Sequence, residues 1–65
     1  MNILQAVKIL EKAGYEKIDS AIEDLEMGII IGKKAKKVKK ACHTLTDAGY
    51  ESVDDAIYGW KEKKK

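Results

Sequence analysis

The chain has 65 residues with 13 lysines, no arginine and 11 acidic residues, which gives a formal net charge of +2. Its length predicts one marginally stable domain, residues 1–65, because a domain of this size buries only about 60% of the surface of its unfolded chain. A single cysteine, a single histidine and no long apolar run exclude a disulfide framework, a zinc site and a spanning helix, so we expect a cytoplasmic protein without metal, cofactor or membrane partner.

The first predicted helix follows Asn2, which with Gln5 has the spacing of a helix cap. Apolar residues recur along it at the i, i+3, i+4, i+7 spacing of an amphipathic helix: Ile3, Ala6, Val7 and Leu10. Gly14 is expected to end this helix in the left-handed conformation, with Tyr15 packing back on Leu10. A second helix repeats the apolar spacing with Ile18, Ala21, Ile22 and Leu25, and Lys17 offers it no side-chain cap.

A short apolar linker, residues 28–32, separates the second predicted helix from the third. It holds Ile29, Ile30 and Ile31 between two glycines, although loops are usually polar. One interpretation is that the isoleucines fill the gap between the two predicted helical hairpins, one on each side of the linker. The other is that they form an exposed contact for a protein partner or for a second copy of the chain.

Charge is distributed unevenly: residues 1–32 contain three lysines and six acids, net −3, whereas residues 33–65 contain ten lysines and five acids, net +5. Six lysines open the third predicted helix: Lys33, Lys34, Lys36, Lys37, Lys39 and Lys40. One interpretation is that they bind phosphates of DNA or RNA together with the free amides of the helix start. The other is that Glu23, Asp24 and Glu26 neutralise them, within the chain or across a dimer.

The second half of the chain repeats the first at a distance of 35 residues. Nine positions are identical, pairing Ala6, Leu10, Ala13, Gly14, Tyr15, Glu16, Asp19, Ala21 and Ile22 with Ala41, Leu45, Ala48, Gly49, Tyr50, Glu51, Asp54, Ala56 and Ile57. The repeat therefore predicts two copies of a unit that consists of a helix, a glycine turn and a second helix. The copies span about residues 2–27 and 37–62. In the second copy Ser52 and Asp55 resemble a capping pair. Lys61, Lys63, Lys64 and Lys65 are expected to form a solvated tail.

Four further residues complete the candidates. Cys42 lies on the apolar stripe of the third helix and is predicted to be a core residue. His43, off that stripe, has no nucleophile or acid arranged around it, so we expect neither catalysis nor a small-molecule substrate. Trp60 replaces Leu25 at the same repeat position, where the larger ring either fills a wider space in the core or lies partly exposed. Tyr58 lies beside the apolar stripe of the fourth helix. Both aromatic side chains are candidates for contact with a protein partner.

The stretch from Leu10 to Ile22 and its twin from Leu45 to Ile57 read L-x-x-A-G-Y-E-x-[IV]-D-x-A-I. This pattern resembles the helix-hairpin-helix motif of DNA repair and recombination proteins. The resemblance implies phosphate contacts from the turns and the start of each following helix, at Gly14, Tyr15, Gly49 and Tyr50. The same residues are similar to the first loop of the ubiquitin-associated domain, and the 35-residue period is similar to helical-hairpin arrays such as the pentatricopeptide family.

The sequence thus predicts an all-α fold of four short helices, arranged as two tandem αα-hairpins in one small bundle. We expect a non-enzymatic binding protein that contacts nucleic acid through its lysine-rich helix, without strong sequence specificity because arginine is absent. The alternative is a protein-interaction module or self-associating adaptor that uses the isoleucine linker, Tyr58 and Trp60.

Overall fold

A computed structural model describes residues 1–63 and contains four helices: α1 (Ile3–Ala13), α2 (Ile18–Glu26), α3 (Gly32–Asp47) and α4 (Val53–Lys63). The predicted all-α class and the number of helices are confirmed. The only extended pairing among the described residues is an isolated antiparallel bridge between Lys17 and Ser52. Two residues of the expected lysine tail, Lys64 and Lys65, lie outside the described residues.

The starts of the helices agree with the capping predictions. Gln5 donates its backbone N–H to Asn2 Oδ1 at 2.8 Å, and Asn2 donates its own to Gln5 Oε1 at 3.0 Å, so both halves of a capping box hold α1. The Asp55 N–H donates to Ser52 Oγ at 3.2 Å at the start of α4. Lys17 makes no side-chain hydrogen bond at the start of α2.

The glycine turns also have the predicted conformation. Gly14 and Gly49 lie in the left-handed region at φ of 86° and 89°, which a residue with a Cβ adopts only with strain. In each turn the next N–H closes the helix end, from Tyr15 to the Leu10 carbonyl and from Tyr50 to the Leu45 carbonyl, both at 2.9 Å. Both tyrosine rings pack against the core.

Helix packing runs mainly between the two halves of the chain. α1 packs most extensively on α3 and also on α4, and α2 packs on α3, whereas α1 with α2 and α3 with α4 make only minor contacts. The two turns meet at the bridge, where the Ile18 N–H donates to the Glu51 carbonyl at 3.4 Å and the Val53 N–H to the Glu16 carbonyl at 2.9 Å. The two helices joined by each glycine turn therefore make few contacts with each other, and the core forms mainly between α1 and α3.

Among the described residues, the buried core contains only apolar side chains, and all except one come from the four helices. Its buried members are Ala6, Val7, Leu10, Ile18, Ala21, Ile30, Val38, Ala41, Cys42, Leu45, Val53 and Ala56. Cys42 is a core residue as predicted, and burial raises the pKa of its thiol. Ile30 is the exception, because it comes from the linker and covers the core from outside the helices.

Candidate functional site

A groove between α1 and α3 brings four lysines together. Its floor is apolar, formed by Ile9, Ala13 and Val38, and its volume is about 280 Å³. The ammonium-bearing side chains along it are Lys8, Lys12, Lys34 and Lys37. We call this feature the lysine groove. Four cations around an apolar floor, with no acidic side chain lining it, suit an anion rather than a cation.

Helix periodicity explains why these four side chains meet. Lys8 and Lys12 are four residues apart and therefore lie on one face of α1, next to its buried stripe. Lys34 and Lys37 are three residues apart on the face of α3 that turns toward α1. All four side chains are exposed, so the lysines are available to a ligand in solvent.

The six lysines predicted as one stripe are distributed over three sides of α3. Lys34 and Lys37 line the lysine groove, and Lys39 lines a different groove between α2 and α3. The remaining three, Lys33, Lys36 and Lys40, fall on the outward face by the 3.6-residue period, and all six are exposed. The structure thus unites two of the predicted lysines with Lys8 and Lys12, which were not predicted as site residues.

The start of α3 lies at one end of the lysine run. Ile31 precedes the helix in an extended conformation and its side chain makes no capping hydrogen bond. The first N–H groups of a helix have no partner within the helix, and their dipoles favour negative charge. Lys33 and Lys34 are in this first turn, so backbone and side-chain charge have the same sign there.

One of the acids expected to neutralise the lysines has another partner. Asp24 accepts a hydrogen bond from the Tyr15 hydroxyl, which links α2 to the turn that precedes it. This hydrogen bond, together with partial burial and the carboxylate charge, raises the pKa of Tyr15 to about 12. Glu26 lines the α2–α3 groove together with Lys39.

The predicted protein-contact residues are divided among core, groove and surface. Ile30 is 8% exposed and belongs to the core, whereas Ile29 and Ile31 are 61% and 75% exposed. Tyr58 is also on the surface, and Trp60 is half-buried in a groove between α1 and α4. The interpretation that the isoleucines fill a gap therefore holds for Ile30, and contact with a partner stays a prediction for the exposed Ile29 and Ile31.

The turn amides assigned to phosphate by the helix-hairpin-helix resemblance donate within the chain. The N–H groups of Gly14 and Gly49 donate to Glu11 and Thr46 carbonyls at 3.0 and 2.9 Å, and the tyrosine N–H groups complete the same caps. The first N–H groups of α2 and α4, from Ile18 and Val53, form the bridge between the two turns.

The described residues contain no cluster of three or more His, Cys, Asp and Glu side chains suited to a metal ion. None of the four helices combines the length and apolar character needed to cross a bilayer. This chain matches no protein-family model, and no curated protein or solved structure matches it with significance.

Proposed function

We propose that this protein is a non-catalytic binding protein that contacts the phosphates of nucleic acid through the lysine groove. The observation that carries the proposal is the convergence of Lys8 and Lys12 from α1 with Lys34 and Lys37 from α3. Two helices that are distant in sequence supply four cations to one concave surface. If the lysines of α3 served only to keep that helix soluble, lysines on the neighbouring α1 would not be required.

Binding of this kind has a defined physical character. Lysine ammonium groups contact phosphate as point charges and release counterions, so affinity falls steeply with salt. No arginine is present for bidentate contacts to guanine, which leaves sequence readout weak. The phosphates are assigned to the lysine groove rather than to the glycine turns, because the turn amides already donate to carbonyls.

A titration with labelled nucleic acid tests the proposal. Duplex DNA, single-stranded DNA and RNA are titrated at about 50 and 200 mM salt, a range over which phosphate-mediated binding weakens steeply. Lys8→Glu/Lys12→Glu is expected to abolish binding while circular dichroism shows a folded chain. Lys17→Glu/Lys61→Glu changes the net charge equally outside the lysine groove and is expected to bind more tightly than the groove variant. Equal loss in both variants, or no wild-type binding at low salt, would reject the proposal.

A second candidate function, protein binding or self-association, is favoured by the exposed apolar side chains near the linker. The side chain of Met27 is 69% exposed, and those of Ile29 and Ile31 are exposed to a similar extent. Sedimentation equilibrium of the wild type and of Ile29→Ser/Ile31→Ser separates the two functions. Association through these side chains would persist at high salt and disappear in the serine variant.

We also infer that the two sequence copies form related halves of one unit, each a helix, a glycine turn and a helix that is completed by the other half. Two observations support this. The bridge pairs Lys17 with Ser52, which are 35 residues apart, and its two hydrogen bonds exchange when the copies are exchanged. The packing of α4 on α1 likewise corresponds to that of α2 on α3.

A further inference from the structure

Two grooves on opposite halves of the molecule have corresponding linings. One lies between α2 and α3 and the other between α1 and α4. All seven residues that line the α2–α3 groove have a counterpart, 35 positions away in the chain, that lines the α1–α4 groove. Ile22 corresponds to Ile57 and His43 to Lys8, for example. The two grooves are therefore the same feature built twice with different side chains.

The two grooves differ in size. The α2–α3 groove has a volume of about 460 Å³ and the α1–α4 groove about 190 Å³. The smaller groove contains Trp60 and Val7 where the larger one has Leu25 and Cys42, which are smaller side chains. Only the larger groove falls within the range of about 300–1,000 Å³ that is usual for ligand sites.

We propose that the α2–α3 groove binds a tryptophan side chain presented by a helix of a partner protein. The chain itself supplies the template, because Trp60 of α4 lines the corresponding groove together with Ile57 of α4 and Val7 of α1. Ile22 and Cys42 provide the same kind of wall in the α2–α3 groove. Aromatic anchors that fill apolar pockets are the side chains that dominate protein interfaces.

The rim of the groove favours a helix over a free aromatic molecule. Glu26 on α2 and Lys39 on α3 place opposite charges along the groove, which suits the polar flanks of an amphipathic helix. Ile22 is 37% exposed and extends the apolar surface beyond the groove. This site does not depend on phosphate binding, since no residue lines both it and the lysine groove.

The experiment uses labelled full-length protein and nuclear magnetic resonance. The probes are N-acetyltryptophanamide, an alanine-based helical peptide with one tryptophan, and the same peptide with alanine in its place. The tryptophan peptide is expected to shift the amide signals of Leu25, Cys42 and His43 and to bind more tightly than the free amide. Binding of the free amide at least as tight as that of the peptide would instead indicate a free aromatic ligand and overturn the proposal, as would equal binding of the alanine peptide.

Matched variants locate the site. Leu25→Trp places in this groove the larger ring that Trp60 places in the α1–α4 groove. It is expected to lower the affinity for the tryptophan peptide by roughly tenfold or more. Trp60→Leu opens the other groove and is expected to leave this binding intact. Should Leu25→Trp fail to fold, Thr46→Lys at the exposed rim serves instead. It is expected to keep the fold and to lower the affinity for the tryptophan peptide. Unchanged affinity in the folded groove variants would overturn the proposal, and so would concentration-dependent shifts of these signals in the protein alone, which would assign the groove to a second copy.

Discussion

Tyr15 and Tyr50 occupy the same place after the two glycine turns, but the residues across from them differ. The Tyr15 hydroxyl donates to Asp24, and the position that corresponds to Asp24 in the second copy is Gly59. A Cβ built on Gly59 would lie only 2.8 Å from Tyr50 Cζ. Tyr15 thus forms a hydrogen bond with Asp24, whereas the Tyr50 ring lies where Gly59 has no side chain.

The raised pKa of Tyr15 predicts a loss of stability in alkali. Its pKa is about 12 in the folded chain against an ordinary value of about 10, so the unfolded chain releases this proton first. The contribution of the hydrogen bond is complete below pH 10 and disappears as the pH rises from about 10 to about 12. Urea unfolding of the wild type and Tyr15→Phe across this range measures it. The wild type is expected to lose more stability than the variant, and parallel losses would contradict the assignment.

Gly59 offers a double-mutant test of the packing beneath Tyr50. Gly59→Ala alone is expected to lower the free energy of unfolding, because the new Cβ displaces the Tyr50 ring from the core edge. In a Tyr50→Ala background the same change is expected to raise it by about 0.5–1 kcal/mol, the ordinary gain of alanine over glycine in a helix. Chemical denaturation of the four proteins supplies the cycle. An effect of the same sign in both backgrounds would show that the ring does not require the glycine.

At the scale of the elements, the linker combines two roles in three consecutive isoleucines. Gly28 lies at φ of 76°, and the Ile29 N–H donates back to the Asp24 carbonyl at 3.0 Å, so the chain reverses after α2. This geometry turns Ile30 inward, while Ile29 and Ile31 remain exposed. The linker therefore contributes to folding through one residue and presents the other two to solvent.

The three isoleucines predict a clear contrast in stability. Ile30→Ala is expected to cost about 2–5 kcal/mol, because it removes buried methyl groups and leaves a cavity. That is a large fraction of the roughly 3–10 kcal/mol expected for a domain of this length. Ile29→Ala and Ile31→Ala serve as matched controls and are expected to change stability by less than about 0.5 kcal/mol. Comparable costs at all three positions, measured by urea unfolding, would contradict the assigned burial of Ile30.

Local signals in the sequence were sufficient for the elements. The apolar spacings predicted the first two helices, Asn2 and Gln5 predicted a capping box, and Gly14 predicted a left-handed turn, because each depends on residues within one or two helical turns. The repeat then predicted the same elements in the second half of the chain. The choice of packing partners depends on contacts between distant residues. Periodicity within Ile3 to Leu10 shows which face of α1 is buried, but not that α3 and α4 cover it.

The site was predictable only in part for the same reason. Lys34 and Lys37 were recognised within a dense run, whereas Lys8 and Lys12 lie in a half of the chain with net charge −3. Their i, i+4 spacing on one face of α1 was the available signal. Only the packing of α1 on α3 turns that signal into part of a groove.

At the scale of the whole molecule, the cross-packing predicts that neither half folds alone. In fragment 1–31, α1 lacks α3 and α4, and in fragment 32–65, α3 lacks both α1 and α2. Circular dichroism of each fragment is expected to show little helix at low concentration, and an equimolar mixture is expected to gain helix. Full helicity of either fragment alone would contradict the packing described above.

The lysines of the lysine groove have no equivalent set in the other half of the molecule. The counterparts of Lys8, Lys12 and Lys37, 35 positions away, are His43, Asp47 and Asn2, so the corresponding surface of the other half lacks this charge. Phosphate binding is therefore expected on one side of the molecule only. Lys36 and Lys40 lie on the outward face of α3. Replacing them changes the charge of the same helix by the same amount as replacing Lys34 and Lys37, so this pair serves as a control.

Whether phosphates bind in the lysine groove is decided by the salt dependence of nucleic-acid affinity. It is measured for the wild type and two double variants. Each phosphate contact contributes about −0.9 to the slope of log affinity against log salt for duplex DNA. Lys34→Gln/Lys37→Gln is expected to make that slope shallower by about two. Lys36→Gln/Lys40→Gln is expected to change it by less than about one. Equal changes in the two variants, or wild-type binding that does not depend on salt, would contradict a phosphate site in the lysine groove.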